Sequence, residues 1–159
     1  MSAVLALAGG VGGAKLILGL SRLLSPKDLS VVVNTGDDEE FYGLHVSPDL
    51  DTVMYTLAGI SNPETGWGIT GESFRTLERL RSYGADGWFG LGDLDFATHI
   101  MRTQMLREGK TLSEVSDALC SALGVDYAIS PMTDGRLRTL VGTEEGEMSF
   151  QEYFVKNHC

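Results

Sequence analysis

The sequence predicts an α/β fold built on a parallel sheet, and three observations carry this. Residues 3–8, AVLALA, are a continuous apolar run closed by glycines, the pattern of a strand buried in a parallel sheet. A glycine-rich turn, GGVGGAK at 9–15, opens a stretch with Leu16, Leu20, Leu23 and Leu24 at helical spacing, which Pro26 closes. LSVVVN at 29–34 is a second apolar run. Strand, glycine turn, helix and strand make a βαβ unit with a right-handed crossover. The expected architecture is a Rossmann-like parallel sheet in three αβα layers.

The later elements follow in order. SPDLDTVMYTLAG reads as a helix with Ser47 as N-cap, Pro48 in the first turn and Gly59 as stop. GESFRTLERLRSYG gives a second helix with Phe74, Leu77 and Leu80 on one face. LDFATHIMRTQMLREG gives a third, ending at Gly109, and TLSEVSDALCSALG a fourth, with a capping box from Thr111 to Glu114 and a stop at Gly124. YAISPM, LRTLVGT and EMSFQEYFV read as short β pieces. One domain is expected over 1–159: a βαβ start at 1–38, a helical insertion at 47–124 and a β-rich return at 125–159.

With 12 basic and 22 acidic residues the formal charge is −10. That argues against a bare nucleic-acid or anionic-membrane surface, so neither partner is expected. A phosphorylated substrate would need local cations, backbone N–H groups or a metal. Cys120 and Cys159, the only cysteines, form no C-x-x-C pair and imply neither a zinc site nor a disulfide framework. The start, MSAVLALAGG, has no basic n-region, and no stretch is long enough to span a bilayer. A cytoplasmic location is expected.

Two segments carry chemistry. The glycine turn sits where phosphate loops sit: Gly9, Gly10, Gly12 and Gly13 let the backbone approach a phosphate, and the helix start offers free N–H groups. It is neither a Walker A loop, since the text is GAKL, nor a strict G-x-G-x-x-G, since Lys15 stands in place of the third glycine. A tight turn without ligand is the alternative, with Lys15 either neutralising phosphate or lying on the surface. The second segment begins at Asn34, where the second strand reaches the ligand edge of the sheet. Two acidic clusters, Asp37/Asp38 and Asp49/Asp51, fit a hard cation such as magnesium. Asp49 and Asp51 also lie in a first helical turn, where acids favour the dipole. Asp51 lies further in and is harder to explain as a cap.

AGGVGGAKL, VNTGDD, SPDLDT, GLGDLDFATH, MRTQML and FQEYFV occur in this order between Ala8 and Val155. The ordered set resembles the 2-phospho-L-lactate transferase family, with motif details most like its actinobacterial phosphoenolpyruvyl branch. The resemblance implies a magnesium-dependent enzyme of coenzyme F-420 biosynthesis. It would move a phospholactyl or phosphoenolpyruvyl group from a GDP-linked donor to the ribityl hydroxyl of the deazaflavin Fo, releasing GMP. It assigns Gly9, Gly10, Gly12, Gly13, Lys15 and Asn34 to the donor, Asp38 and Asp51 to magnesium, and Asp51 to the attacking hydroxyl. Asp49, Thr52, Trp67, Gly90 and His99 go to the acceptor. Asp95, His99 and Arg102 fall on neighbouring helix turns, as pocket wall or as an i,i+4 Asp–His pair that steadies the helix. Trp67, Trp88 and Phe89 are stacking partners for a flat ring, or core.

Three departures stand out. Gly90 replaces a larger polar residue, and Gly135 in PMTDGRL replaces an aspartate. Family proteins also run to roughly twice this length. The chain is therefore expected to correspond to their amino-terminal half, with the sheet incomplete at the C-terminus and a homodimer or a separate C-terminal half as partner. A nucleotide- or sugar-binding regulator of the related gluconeogenesis-factor type is the alternative. An NAD-dependent oxidoreductase, with Asp37 or Asp38 on a ribose, is disfavoured by the missing glycine.

Overall fold

The computed structural model describes residues 3–144 and 146–157; Cys159 lies outside them. Strand β1 (Val4–Ala8) leads through helix α1 (Gly10–Ser21) to strand β2 (Leu29–Val33). The two strands pair in parallel, Val4 opposite Leu29 and Ala8 opposite Val33. The βαβ start is therefore as the sequence predicts. The buried side of α1 is Ala14 and Ile17, with Leu20 and Leu24 packed against the core. Leu16 and Leu23, counted with them by spacing, are exposed.

The acidic segment after β2 is not a simple loop. It forms a hairpin, β3 (Glu39–Phe41) with β4 (Leu44–Val46). Its two turn residues, Tyr42 and Gly43, both have positive φ, 56° and 72°, as the tight hairpin turn whose twist matches the strands requires. Helix α2 (Pro48–Leu57) follows, then α3 (Arg75–Ser82), α4 (Asp93–Arg107) and α5 (Leu112–Ala122). Ser47 precedes α2 as expected but does not cap it; its hydroxyl donates to Asp38 Oδ2 at 2.8 Å instead. The Thr111–Glu114 capping box is present.

Strand β5 (Ala128–Pro131) returns to pair in parallel with β2, giving the order β1-β2-β5. Strands β6 (Leu140–Thr143) and β7 (Gly146–Ser149) make an antiparallel pair apart from it. FQEYFV, read as strand, is mostly a wide helical turn over Glu152–Lys156. The cause is a reciprocal cap: Ser149 N–H donates to Glu152 Oε2 and Glu152 N–H to Ser149 Oγ.

One face of the sheet carries the core, with Ala6, Ala8, Val31, Val33 and Ile129 packed under Ile17, Val53 and residues of α5. The other face has no helix on it among the described residues. Leu5 and Leu7 point from it 65% and 74% exposed, so the run AVLALA is buried on one side only. No helix among the described residues is long and apolar enough to cross a membrane.

Candidate active site

A cavity of about 280 Å³ opens where α2 and α4 meet the glycine turn. Helix α2 supplies Asp49, Asp51, Thr52 and Tyr55, and α4 supplies Asp95 and His99. Gly10 and Val11 come from the start of α1, Trp67 and Gly90 from two connecting loops, and Gln151 and Val155 from the last turn. Every residue that the resemblance assigns to the acceptor, Asp49, Thr52, Trp67, Gly90 and His99, lies on this cavity together with Asp51. Gly9, Gly12, Gly13, Lys15, Asn34 and Asp38 do not line it. Trp67 stands half-exposed at its wall. Phe89 lines it too, stacked on Phe41 with ring centroids 4.2 Å apart. Trp88 packs edge-on against Phe41 and Phe89, filling space behind the wall.

The floor is a buried polar network. Arg102, reaching in from α4, grips Asp51 with both terminal nitrogens, Nη1 to Oδ2 at 3.1 Å and Nη2 to Oδ1. The same Nη1 lies 3.2 Å from His99 Nδ1. His99 Nε2 is 3.3 Å from Asp95 Oδ2, and the Tyr55 hydroxyl donates to Asp95 Oδ1 at 2.8 Å. Burial pushes the Asp51 carboxyl up, while Arg102 and His99 pull it back. Asp95 moves the other way: its burial is outweighed by the His99 ring, the Tyr55 hydroxyl and Arg102, which hold it below the usual carboxylate range. Burial, then the charges of Asp51 and Asp95, push the Tyr55 hydroxyl up.

Above the floor lies the glycine turn. The Asp49 carboxylate sits against it, accepting from Asn34 Nδ2 at 2.9 Å and from the Gly10 backbone. A side chain on Gly9 would come within 3.1 Å of Asp49 Oδ2. Gly13 has a different purpose: a Cβ there would meet Ala8 Cβ at 3.0 Å, so it sets how closely α1 lies on β1. Gly12 faces open space, and Lys15 is exposed. Burial and the neighbouring carboxylates push both Asp37 and Asp49 up. Asp38 accepts from Ser47 and lies 2.9 Å from His45 Nε2, while its Oδ1 is buried with no partner. Asp51, Asp95 and His99 bring one ligand atom each within 4.8 Å of the others, close enough to hold a metal ion. Tyr55 is the member of this floor that the sequence does not single out; Arg102 and Asp95 are those the helix spacing places beside His99 without assigning them a ligand.

A profile of the 2-phospho-L-lactate transferase CofD family matches residues 4–159. The chain belongs to the 2-phospho-L-lactate transferase family. It is 52% identical over 158 residues to a phosphoenolpyruvate transferase of Streptomyces griseus, covering 96% of this chain and 50% of the relative. It is 45% identical over 150 residues to a 2-phospho-L-lactate transferase of Methanospirillum hungatei, covering 94% and 50%. The chain thus spans about half the length of the curated family members it matches. Among solved structures, a UPF0052 family protein of Bacillus halodurans has the same fold over 97% of this chain and 47% of its own, with a TM-score of 0.52 at 14% identity.

Proposed function

We propose that the chain supplies the acceptor pocket and catalytic carboxylate of a magnesium-dependent transferase of coenzyme F-420 biosynthesis. That enzyme moves a phospholactyl or phosphoenolpyruvyl group from a GDP-linked donor to the ribityl hydroxyl of the deazaflavin Fo. The reading rests on one observation: Gly10, Asp49, Asp51, Thr52, Trp67, Gly90 and His99, from five segments of chain, meet at one cavity. A slot walled by Trp67 and Phe89 suits a flat ring, and a polar floor suits the hydroxyls of its side chain.

Asp51 and Asp95 are driven apart in acidity, and such a split assigns roles. Asp51, raised by burial, takes the proton of the attacking hydroxyl; Asp95, lowered, stays ionised. The hydroxyl oxygen bonds to the phosphorus that carries the acid, and GMP leaves with the bridging oxygen. Catalysis of this kind rests on positioning and charge. Gly9, Gly10, Gly12, Gly13, Lys15 and Asn34 are assigned to the donor. The Asp49 carboxylate at the Gly10 N–H supports an anion site at the turn.

Asp38 and Asp51 are the residues proposed to hold magnesium, which when bound neutralises the donor diphosphate. The unpartnered Oδ1 of Asp38 and the mutual repulsion of Asp37, Asp38 and Asp49 fit a cation. Asp51 keeps lone pairs beyond those that Arg102 uses. Titrating Fo with the chain should change its fluorescence; an unchanged signal favours the regulator. Calorimetry with GDP should show a magnesium-dependent affinity that Asp38→Asn lowers about tenfold, the range of one lost charge-assisted contact.

A further inference from the structure

The motif FQEYFV has no ligand assigned to it, yet two of its residues stand on the cavity. The reciprocal cap between Ser149 and Glu152 turns the chain there into one wide helical turn. Gln151 and Val155, four residues apart and so on one side of that turn, both line the cavity. Gln151 is 5% exposed. A glutamine is seldom buried this far, and when it is, its amide has to find partners.

One end of that amide is fixed. Gln151 Nε2 donates to the Asp37 backbone carbonyl at 3.1 Å. A carbonyl oxygen only accepts, so the amide nitrogen, and not its oxygen, has to face Asp37. Oε1 is thereby turned away from Asp37, and it accepts from no described residue. Nor is it sealed inside the protein. Among the described residues, the unpartnered side-chain atoms closed off from solvent are Thr35 Oγ1, Asp38 Oδ1 and His99 Nε2. The opening that Gln151 lines is the cavity. Oε1 is therefore a neutral acceptor at the cavity wall, held there by a bond to the acidic segment.

Its surroundings decide what it can bind. Two hydroxyls of the cavity spend their protons on the protein: Thr52 Oγ1 donates to the Pro48 carbonyl and the Tyr55 hydroxyl to Asp95 Oδ1, each at 2.8 Å. Asp49, Asp51 and Asp95 add carboxylates. What Oε1 lacks is a proton from the ligand, and a hydroxyl or a ring N–H brings one without bringing charge.

We infer that Gln151 is a specificity residue of the acceptor pocket: its Oε1, oriented by the Nε2 bond to Asp37, accepts a hydrogen bond from an uncharged hydroxyl or ring N–H of the ligand. The inference rests on the acceptor reading of this cavity and goes further, in naming a residue outside the assigned set and the ligand group it reads.

The test is a binding cycle on the full chain with three ligands: Fo, Fo methylated at its ring N–H, and Fo with its ribityl chain cut back to a methyl group. Gln151→Met keeps the length of the side chain and removes its acceptor. It should weaken Fo binding about tenfold, the effect of one lost hydrogen bond. One of the two analogues should bind the variant as tightly as wild type, and which one it is tells ring N–H from hydroxyl. A glutamine that only ties the last turn to Asp37 would weaken all three ligands alike, so equal losses overturn the inference, as does wild-type Fo affinity in the variant. In the wild-type chain labelled with nitrogen-15, the Gln151 side-chain amide resonance should move on addition of Fo. A resonance that stays in place overturns the inference even if Gln151→Met does not fold. Failure of the wild-type chain to bind Fo overturns the acceptor reading beneath it; indifference to Gln151 in a chain that does bind Fo overturns this inference alone.

Discussion

Arg102 heads the fully buried side chains of the described residues by volume, and its charge is met by the two oxygens of Asp51. Removing one partner of such a pair leaves the other uncompensated. Asp51→Asn, which keeps the shape, should therefore cost about 3–5 kcal/mol, read as a fall in the denaturant midpoint. Arg102→Met should cost a similar amount, and the double variant less than the two added together. Full additivity would mean that the two charges do not depend on each other. Two glycines of the turn make a second contrast. Gly13→Val drives a side chain into Ala8 and should destabilise by about 1–3 kcal/mol whatever the ligand does. Gly12→Val meets nothing, so it should fold normally and lose GDP binding if a phosphate comes there. Normal GDP calorimetry on Gly12→Val would leave the loop as a turn only. Asp51 was conspicuous in sequence because it lies too far into its helix to be a cap. Arg102 stands out by its helix spacing with Asp95 and His99, but its pairing with Asp51 does not, because the two are 51 residues apart and no local pattern marks a pair at that range.

Helices α3 and α4 exchange caps. Asp93, the first residue of α4, accepts from Ser73 Oγ at 2.5 Å, Arg75 N–H and Thr76 N–H, at the start of α3. Glu72, just before α3, accepts from Leu94 N–H and Asp95 N–H, at the start of α4. Asp95, which opens the wall of the cavity, is thus seated by a residue on another element. Gly92 permits this, because a Cβ there would fall 1.9 Å from Glu72 Cγ. Gly92→Ala should expel Glu72 and cost about 1 kcal/mol, as loss of a cap does, with α4 amides near Leu94 exchanging faster. Hydrogen bonds from Ser73 and the Thr76 backbone hold the Asp93 carboxyl down at about 2. A lowered carboxyl contributes stability above its unfolded value of about 3.9, and that contribution disappears as pH falls towards the folded one. Acid unfolding should be steeper for wild type than for Asp93→Asn below pH of about 4; superimposable curves would remove the cap from the account. The parallel strands and the Thr111–Glu114 box were legible, since each is a local pattern. The Ser149–Glu152 box was equally local, but the alternation in EMSFQEYFV imitates a strand. The β3–β4 hairpin was hidden because its turn uses Tyr42 at positive φ, which composition does not flag.

Seen as a whole, the sheet has one face packed and one face bare. The apolar runs were read as buried on both sides, and sequence could not show otherwise, because Leu5 and Ala6 are equally apolar while only Ala6 meets a helix. A parallel sheet ordinarily has both faces covered, and the family members matched here are about twice as long. Two consequences follow for the 159-residue chain. The first is weak self-association. Burying a leucine contributes about 1.5–3 kcal/mol, so two bare faces pressed together gain on the order of 10 kcal/mol from Leu5 and Leu7 of both copies. Association itself costs about 4–15 kcal/mol, which leaves a loose, concentration-dependent dimer rather than a tight one. The second is a separation of binding from turnover. The cavity proposed for the acceptor is lined by residues of this chain, so on that proposal Fo binding should survive. Group transfer needs the donor held within a narrow range of geometry, and turnover should fall far below that of the longer relatives. Light scattering across a concentration series, Fo fluorescence and an assay with GDP-linked donor and magnesium test both on wild type and Leu7→Lys. The charge on the bare face should keep Leu7→Lys monomeric with Fo affinity unchanged and turnover no better. A wild-type chain that stays monomeric at high concentration and turns over like its relatives would mean that the bare face needs no cover and that this half alone positions the donor.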